Sequence, residues 1–297
     1  MLSGSYVAIV TPFNNGAVDE ATLKALVGWH VEQGTSGIVA VGTTGESPTL
    51  SHEEHHRVVE ICVEAAGGRI PVMAGTGSNS TTEAIDLTRH AKKSGANSVL
   101  IVNPYYNKPT QEGIYRHYMA IADAVEIPQV IYNIPGRTGG KVDVSTMARL
   151  APHKNIVGIK DAVGDLNYTS DLIARLGPEF AVFSGDDALT IPMMSVGARG
   201  VISVAANVAP ARVAQMVAAM LEGDMERARA AHFEMWDLMN AMFYETNPIP
   251  VKTALAMMGR IKDEFRLPLC QMGQANRERL KAALIKAGLV AEDAGRA

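Results

Sequence analysis

Eight short, almost wholly apolar runs recur along the chain, each followed by a stretch with helical periodicity or helix-forming composition, and this alternation limits the possible folds more than any other feature. The runs are Tyr6 to Val10, Gly37 to Val41, Pro71 to Ala74, Ser98 to Val102, Gln129 to Tyr132, Ile156 to Ile159, Ala181 to Phe183 and Gly200 to Val204. They alternate with Glu20 to Gln33, Glu53 to Ala66, Thr81 to Ser94, Glu112 to Ala124, Val144 to Leu150, Asn167 to Leu176, Ala188 to Val196 and Ala209 to Leu221. Strands that lose the usual polar alternation are buried on both faces, as in a parallel sheet covered by helices. Eight such units predict an α/β protein with a closed (β/α)8 TIM barrel. A doubly wound open sheet is the alternative, but it often carries a Gly-x-Gly-x-x-Gly loop after its first strand, and here Thr11-Pro12-Phe13 follows instead.

After Leu221 the pattern changes. Met225 to Tyr244, Val251 to Met258 and Ala275 to Ala287 read as helices with no strand between them, and Asn247-Pro248-Ile249-Pro250 separates the first two. Residues 1–224 are therefore expected to form the barrel and 225–297 a C-terminal helical extension, whose Met- and Ala-rich faces suit packing against the barrel or another subunit.

Composition narrows the function. Lys plus Arg number 27 against 31 Asp plus Glu, a net charge of −4, so no basic field is available to hold nucleic acid. No apolar run reaches the roughly 18 residues of a membrane span, and the first residues carry no basic leader. Cys62 and Cys270 lie far apart in apolar or helix-like contexts, which fits neither a disulfide framework nor a thiolate metal cluster and points to a reducing, cytoplasmic setting.

Barrel active sites form at the carboxyl ends of the strands, so polar residues just after each apolar run carry the chemical interest. That rule selects Thr43 and Thr44, Tyr105 and Tyr106, Tyr132 and Asn133, Lys160, and Ser184 to Asp187. Lys160 closes Ile156-Val157-Gly158-Ile159; burial there favours the neutral amine that attacks a ketone to form a Schiff base. The competing reading is a lysine that reaches outward or pairs with Asp161 or Asp187. A phenol at Tyr132 can move protons beside such an amine, with Thr43, Thr44, Tyr105 or Tyr106 as a relay; packing aromatics and helix-capping threonines are the structural alternatives.

Gly42-Thr43-Thr44-Gly45-Glu46 combines backbone freedom with converging hydroxyls and suits a carboxylate, and it lacks the Gly-Lys-Ser/Thr ending of a phosphate loop. Arg137, in Pro135-Gly136-Arg137-Thr138, can clamp a second carboxylate or pair with a surface acid. Metal binding is weakly supported. His52, His55 and His56 do not have His-Glu-x-x-His spacing, and their helix start is expected to lie past the loop, away from the barrel mouth, where solvated or helix-capping roles fit them better than a metal and a small-molecule pocket is the alternative. Asp186 and Asp187 suit a substrate loop or a helix cap better than a cation.

Four motifs in order, Gly42 to Glu46, Asn103-Pro104-Tyr105-Tyr106-Asn107-Lys108-Pro109, Tyr132-Asn133-Ile134-Pro135-Gly136-Arg137-Thr138 and Gly158-Ile159-Lys160-Asp161-Ala162, resemble those of the pyruvate-dependent Schiff-base lyases, and among them the dihydrodipicolinate synthases. The resemblance runs from Gly4 to about Leu289. It implies Lys160 as the Schiff-base lysine and Tyr132, Thr43 and Tyr106 as the proton relay, with Tyr106 reaching into a neighbouring subunit of a dimer, usually within a homotetramer built as a dimer of dimers. It further implies that Thr44 with Thr43 holds the carboxylate of pyruvate, that the Gly185 and Ile202 backbones line the pocket, and that Arg137 binds the carboxylate of L-aspartate 4-semialdehyde. No metal or organic cofactor is implied.

In feedback-inhibited members L-lysine binds at the dimer interface, and the matching positions are Ser47, His52, His55, Asn79, Glu83 and Tyr105, with Pro48 a departure at the edge. The implied pathway is lysine and diaminopimelate biosynthesis. Aldolases of the same family acting on keto-deoxy sugar acids or sialic acid are the nearest alternative, and Arg137, favouring a short acceptor with its own carboxylate, distinguishes them. Outside this chemistry stand a non-catalytic small-molecule binding protein and a metal-dependent aldolase.

Overall fold

The computed structural model describes residues 2–292 and contains a closed barrel of parallel strands in sequential order. The strands are β1 (Gly4–Ala8), β2 (Gly37–Ala40), β3 (Val72–Gly75), β4 (Ser98–Val102), β5 (Gln129–Asn133), β6 (Ile156–Asp161), β7 (Ala181–Ser184) and β8 (Gly200–Ser203). Closure comes from β1, which pairs in parallel with both β2 and β8. The barrel fold expected from the alternating runs is thus present. Strand β1 begins and ends two residues earlier than its apolar run. The early start comes from pairing of Gly4 with Gly200 on β8, and at the other end the Val10 N–H leaves the ladder and donates to Asn207 Oδ1 at 3.1 Å.

The surrounding helices are α1 (Glu20–Glu32), α2 (His52–Ala66), α3 (Thr81–Lys93), α4 (Gln111–Ala124), α5 (Val144–Leu150), α6 (Leu166–Leu176), α7 (Thr190–Ser195) and α8 (Pro210–Leu221). A single helical turn, Pro135–Thr138, precedes α5, and a short hairpin of Phe13–Asn14 with Ala17–Val18 precedes α1.

Side chains alternate between two cores. Tyr6, Ala8, Val39, Met73, Leu100, Val130, Phe183 and Ile202 fill the barrel interior, whereas Val7, Ile38, Val99, Ile131 and Val201 belong to the layer shared with the helices. This double burial is why the strands read as unbroken apolar runs. Gly37 is required within that interior, because a Cβ there would lie 2.3 Å from the Tyr6 ring.

The extension comprises α9 (Met225–Ala241), α10 (Ile249–Met257) and α11 (Gln274–Lys286). Its apolar residues Met235, Leu238, Val251, Leu255 and Leu280 join the same core as Val213 and Val217 of α8. The last five residues of the expected 225–297 segment lie outside the described ones. Among the described residues, no helix is long and apolar enough to cross a membrane.

Candidate active site

Register brings the two sharpest sequence candidates together. Tyr132 on β5 pairs with Lys160 on β6, and paired positions on adjacent parallel strands project to the same face. Lys160 is 5% exposed, and its Nζ lies 4.3 Å from the centroid of the Tyr132 ring. Burial lowers the Lys160 pKa from 10.5 to about 8; the Asp187 charge opposes the change and the Arg137 charge adds to it. Both nearby carboxylates are taken up by other donors. Asp187 accepts from the Ser203 hydroxyl and from the N–H groups of Val204 and Ala205, both at 3.0 Å. Asp161 accepts from the Thr169 hydroxyl at 2.6 Å and the Val163 N–H at 2.9 Å.

The Tyr132 phenol is also buried, which raises its pKa to about 12 against the opposing pull of Arg137 and a hydrogen bond with Thr43. Thr43 thereby joins the pair directly. Its loop is held in an unusual backbone conformation, since Val41 and Glu46 have φ of 48° and 53°, left-handed values that side chains disfavour. The turn is closed by Glu46 N–H to Thr43 O at 3.1 Å and by the Thr11 hydroxyl to Gly45 O at 2.7 Å. Thr44 is buried, and its Oγ1 accepts from Asn247 Nδ2 at 3.0 Å.

These groups surround a small cavity of about 50 Å³ lined by Thr43, Thr44, Tyr132, Lys160, Gly185 and Asn247, among others. Gly185 has a steric reason to be glycine: a Cβ would come within 3.1 Å of Lys160 Cε and 2.7 Å of Ala162 Cβ. The Ile202 side chain packs in the barrel interior, and Val204, just past the end of β8, lines the cavity.

Arg137 is exposed on the helical turn at the cavity mouth, and its Nη2 donates to Asn247 O at 3.0 Å. It therefore holds a backbone carbonyl rather than a surface acid. Tyr106 stands apart from Lys160, 89% exposed with φ of 68°. Tyr105 is partly exposed and faces a second, larger space.

That second cavity, about 370 Å³, shares Thr43, Tyr132 and Arg137 with the first. Ser47, His52, His55, Glu83 and Tyr105 line it; Asn79 lies beside them, its carbonyl accepting from Asn107 Nδ2 at 3.0 Å. The sequence expectation that the α2 histidines sit away from the barrel mouth is therefore corrected. The Ser51–Glu54 capping box fixes where α2 begins, and the start falls beside the second cavity, carrying His52 and His55 to its wall. His52 Nε2 and Glu83 Oε1 are 2.9 Å apart, and Glu83 also accepts from the Ser78 hydroxyl. These contacts, Ser78 foremost, hold the Glu83 pKa below its ordinary value. Burial lowers the His55 pKa to about 4. The neutral ring uses Nε2–H toward Gly75 O at 2.9 Å, which leaves Nδ1 as a buried acceptor without a partner. His56 turns away and stacks on His90 with 3.7 Å between centroids. Among the described residues, no group of three or more His, Cys, Asp or Glu side chains is placed to hold a metal ion.

Three residues at this site went unassigned in the sequence reading: Asn247, Lys252 and, as an individual residue, Glu46. Lys252 and Glu46 form an ion pair whose side chains are both fully buried. A signal existed, because Lys252 is the one charged residue between Ile249 and Met258.

Residues 1–287 match the model of the dihydrodipicolinate synthetase family. A 4-hydroxy-tetrahydrodipicolinate synthase of Trichlorobacter lovleyi is 58% identical over 284 residues, covering 96% of this chain and 98% of its own. The chloride-inhibited dihydrodipicolinate synthase of Acinetobacter baumannii, solved with pyruvate, superposes with a TM-score of 0.96 at 51% identity over 98% of this chain and 100% of its own. The Cyanidioschyzon merolae enzyme, solved with lysine bound, gives 0.94 at 40% identity over 97% and 99%. With a family match over residues 1–287 and 58% identity over nearly the full length of a relative, the chain belongs to the dihydrodipicolinate synthetase family.

Proposed function

We propose that this protein is a 4-hydroxy-tetrahydrodipicolinate synthase, a lyase of lysine and diaminopimelate biosynthesis that condenses pyruvate with L-aspartate 4-semialdehyde through a Schiff base on Lys160. The observation that carries the proposal is a buried lysine with its pKa lowered to about 8, beside the Tyr132 phenol that is itself hydrogen-bonded to Thr43. The neutral Lys160 amine attacks C2 of pyruvate, and the carbonyl oxygen leaves as water after protonation. Tyr132, with Thr43, carries protons to that oxygen and away from the methyl group to give the enamine. The enamine carbon then attacks the aldehyde, and the substrate's amine displaces Lys160 as the six-membered ring closes.

Thr44 and Thr43 hold the pyruvate carboxylate, Gly185 leaves room for the lysine, and Arg137 binds the carboxylate of the second substrate. The strongly exposed Tyr106, in a left-handed backbone, completes the relay of a neighbouring subunit. The working unit is accordingly a dimer, assembled into a homotetramer. The unpaired cysteines, one buried and one exposed, fit a cytoplasmic setting.

The larger cavity is the site of feedback by L-lysine, with Ser47, His52, His55, Glu83 and Tyr105 as its polar wall, and Asn79, next in sequence to the Ser78 that binds Glu83, as a further contact. Glu83 supplies a carboxylate for an ammonium group, and the unpartnered His55 Nδ1 accepts a hydrogen bond. Pro48 lines the same wall and alters its shape.

The test is turnover with pyruvate and each candidate partner. Rapid condensation with L-aspartate 4-semialdehyde, and none with keto-deoxy sugar acids or sialic acid run in the cleavage direction, is the expected result. Preference for a sugar acid overturns the assignment, and a protein that binds pyruvate without any turnover makes it a binding protein.

A further inference from the structure

The barrel alone does not hold the loop that carries Thr43 and Thr44. That loop is bracketed by left-handed Val41 and Glu46, and non-glycine residues persist in such conformations only where the surroundings over-determine them. Two ties come from the extension. Asn247, 6% exposed, donates from Nδ2 to Thr44 Oγ1 at 3.0 Å while its carbonyl accepts from Arg137. Five residues later, on α10, Lys252 forms its buried ion pair with Glu46, where the loop ends.

The Lys252 pair is embedded in a wider network. Lys252 Nζ lies 4.2 Å from the centroid of the Phe13 ring and 5.1 Å from that of Phe265. Arg266 donates its backbone N–H to Glu46 Oε2 at 3.3 Å, and its guanidinium binds Glu54 by two contacts of 2.6 Å and Thr49 O at 2.9 Å. Both ends of the segment from Glu46 to Glu54 are thus fastened to the extension. A well-packed apolar pair in place of a buried ion pair is often equally stable, so stability alone gives little reason for an ammonium and a carboxylate here. Fixing one loop geometry does give a reason.

We propose that Asn247 and Lys252 are positioning residues, through which the C-terminal extension holds Thr44, Thr43 and Glu46 in the geometry that receives the pyruvate carboxylate. The proposal rests on the functional reading above and deepens it, making the extension part of the substrate site. Asn247 acts on Thr44 through its side chain and on Arg137 through its backbone, so replacing the side chain separates the two. The donor substrate should suffer and the acceptor should not.

Three variants test this: Asn247→Ala, the double change Glu46→Gln with Lys252→Met, and the double change Glu46→Asp with Lys252→Arg, which keeps the pair at similar combined length. Steady-state kinetics, reductive trapping of pyruvate on Lys160 and thermal unfolding are read on each. Asn247→Ala is expected to raise KM for pyruvate about tenfold, the loss of one oriented hydrogen-bonding group, with KM for the acceptor little changed. The uncharged pair is expected to lower kcat/KM for pyruvate about a hundredfold through loop displacement, and the exchanged pair to restore most of it. Unchanged pyruvate KM in both Asn247→Ala and the uncharged pair, or an equal rise for both substrates in Asn247→Ala, overturns the proposal. If the uncharged pair does not fold, Asn247→Ala decides alone. A wild-type protein that pyruvate and reductant never label overturns the functional reading itself, whereas wild type and variants labelled at the same pyruvate concentration overturn only the positioning role.

Discussion

Lys160 and Lys252 are both buried lysines beside an aromatic ring, yet their surroundings assign them opposite tasks. Burial pushes the pKa of each below the ordinary lysine value. Lys252 has a carboxylate of its own in Glu46, which favours the charged form. Around Lys160 the carboxylates of Asp161 and Asp187 serve backbone N–H groups and hydroxyls instead. A paired ammonium fastens two segments, whereas an unpaired amine near its titration point is a nucleophile. What separates them is how the nearby acids are occupied, rather than burial itself.

The largest expected effect comes from removing the proposed nucleophile. Lys160→Ala is expected to reduce turnover by a factor on the order of 10⁴ or more, measured as condensation rate at saturating substrates. The opposite should hold for stability. The folded pKa of about 8 lies below the unfolded value of 10.5, so the unfolded chain binds more protons between these values and wild-type stability rises with pH across that window. Lys160→Met should therefore unfold at higher denaturant than wild type at pH 7, by up to about 3 kcal/mol, with the advantage fading from pH 8 to 10.5. Equal stability of the two proteins across this range would remove the contrast between the lysines.

Lys252→Met is expected to have the reverse sign, destabilising by about 3–5 kcal/mol because Glu46 is left as an uncompensated buried charge. Equilibrium denaturation measures it, and a neutral or stabilising result would put Lys252 in the same class as Lys160. Arg137→Ala should raise KM for L-aspartate 4-semialdehyde by about 10- to 100-fold, the range for a hydrogen bond to a charged group, with pyruvate trapping retained. The smallest expected change is in regulation: Glu83→Gln should raise the L-lysine concentration for half-inhibition about tenfold, read from rate against added lysine. Wild-type rates that stay flat to millimolar lysine would leave the larger cavity without its assigned ligand.

Much of this was legible in the sequence because the governing patterns are local. Strand runs buried on both faces showed the barrel, and Lys160 and Tyr132 stood out at the ends of their runs. Their proximity follows from register between adjacent strands. Residues acting through distant packing were harder to see. Asn247 looked like part of a separator between helices, although its side chain reaches Thr44, 203 positions earlier in the chain. His52 and His55 were placed too far from the mouth, because helix phase and the direction of the preceding loop decide which wall they face. Val204, just past the end of β8, lines the cavity and was not singled out, because it closes an apolar run with nothing polar to mark it.

The most direct test of the account is the pH dependence of reductive trapping by pyruvate, with the modified residue mapped by mass spectrometry. The amine must be neutral to attack, so labelling at Lys160 is expected to rise with pH and level off above about 8. A pyruvyl adduct on another lysine, or a labelling rate at Lys160 still climbing with the slope of an ordinary amine toward pH 10, would contradict it.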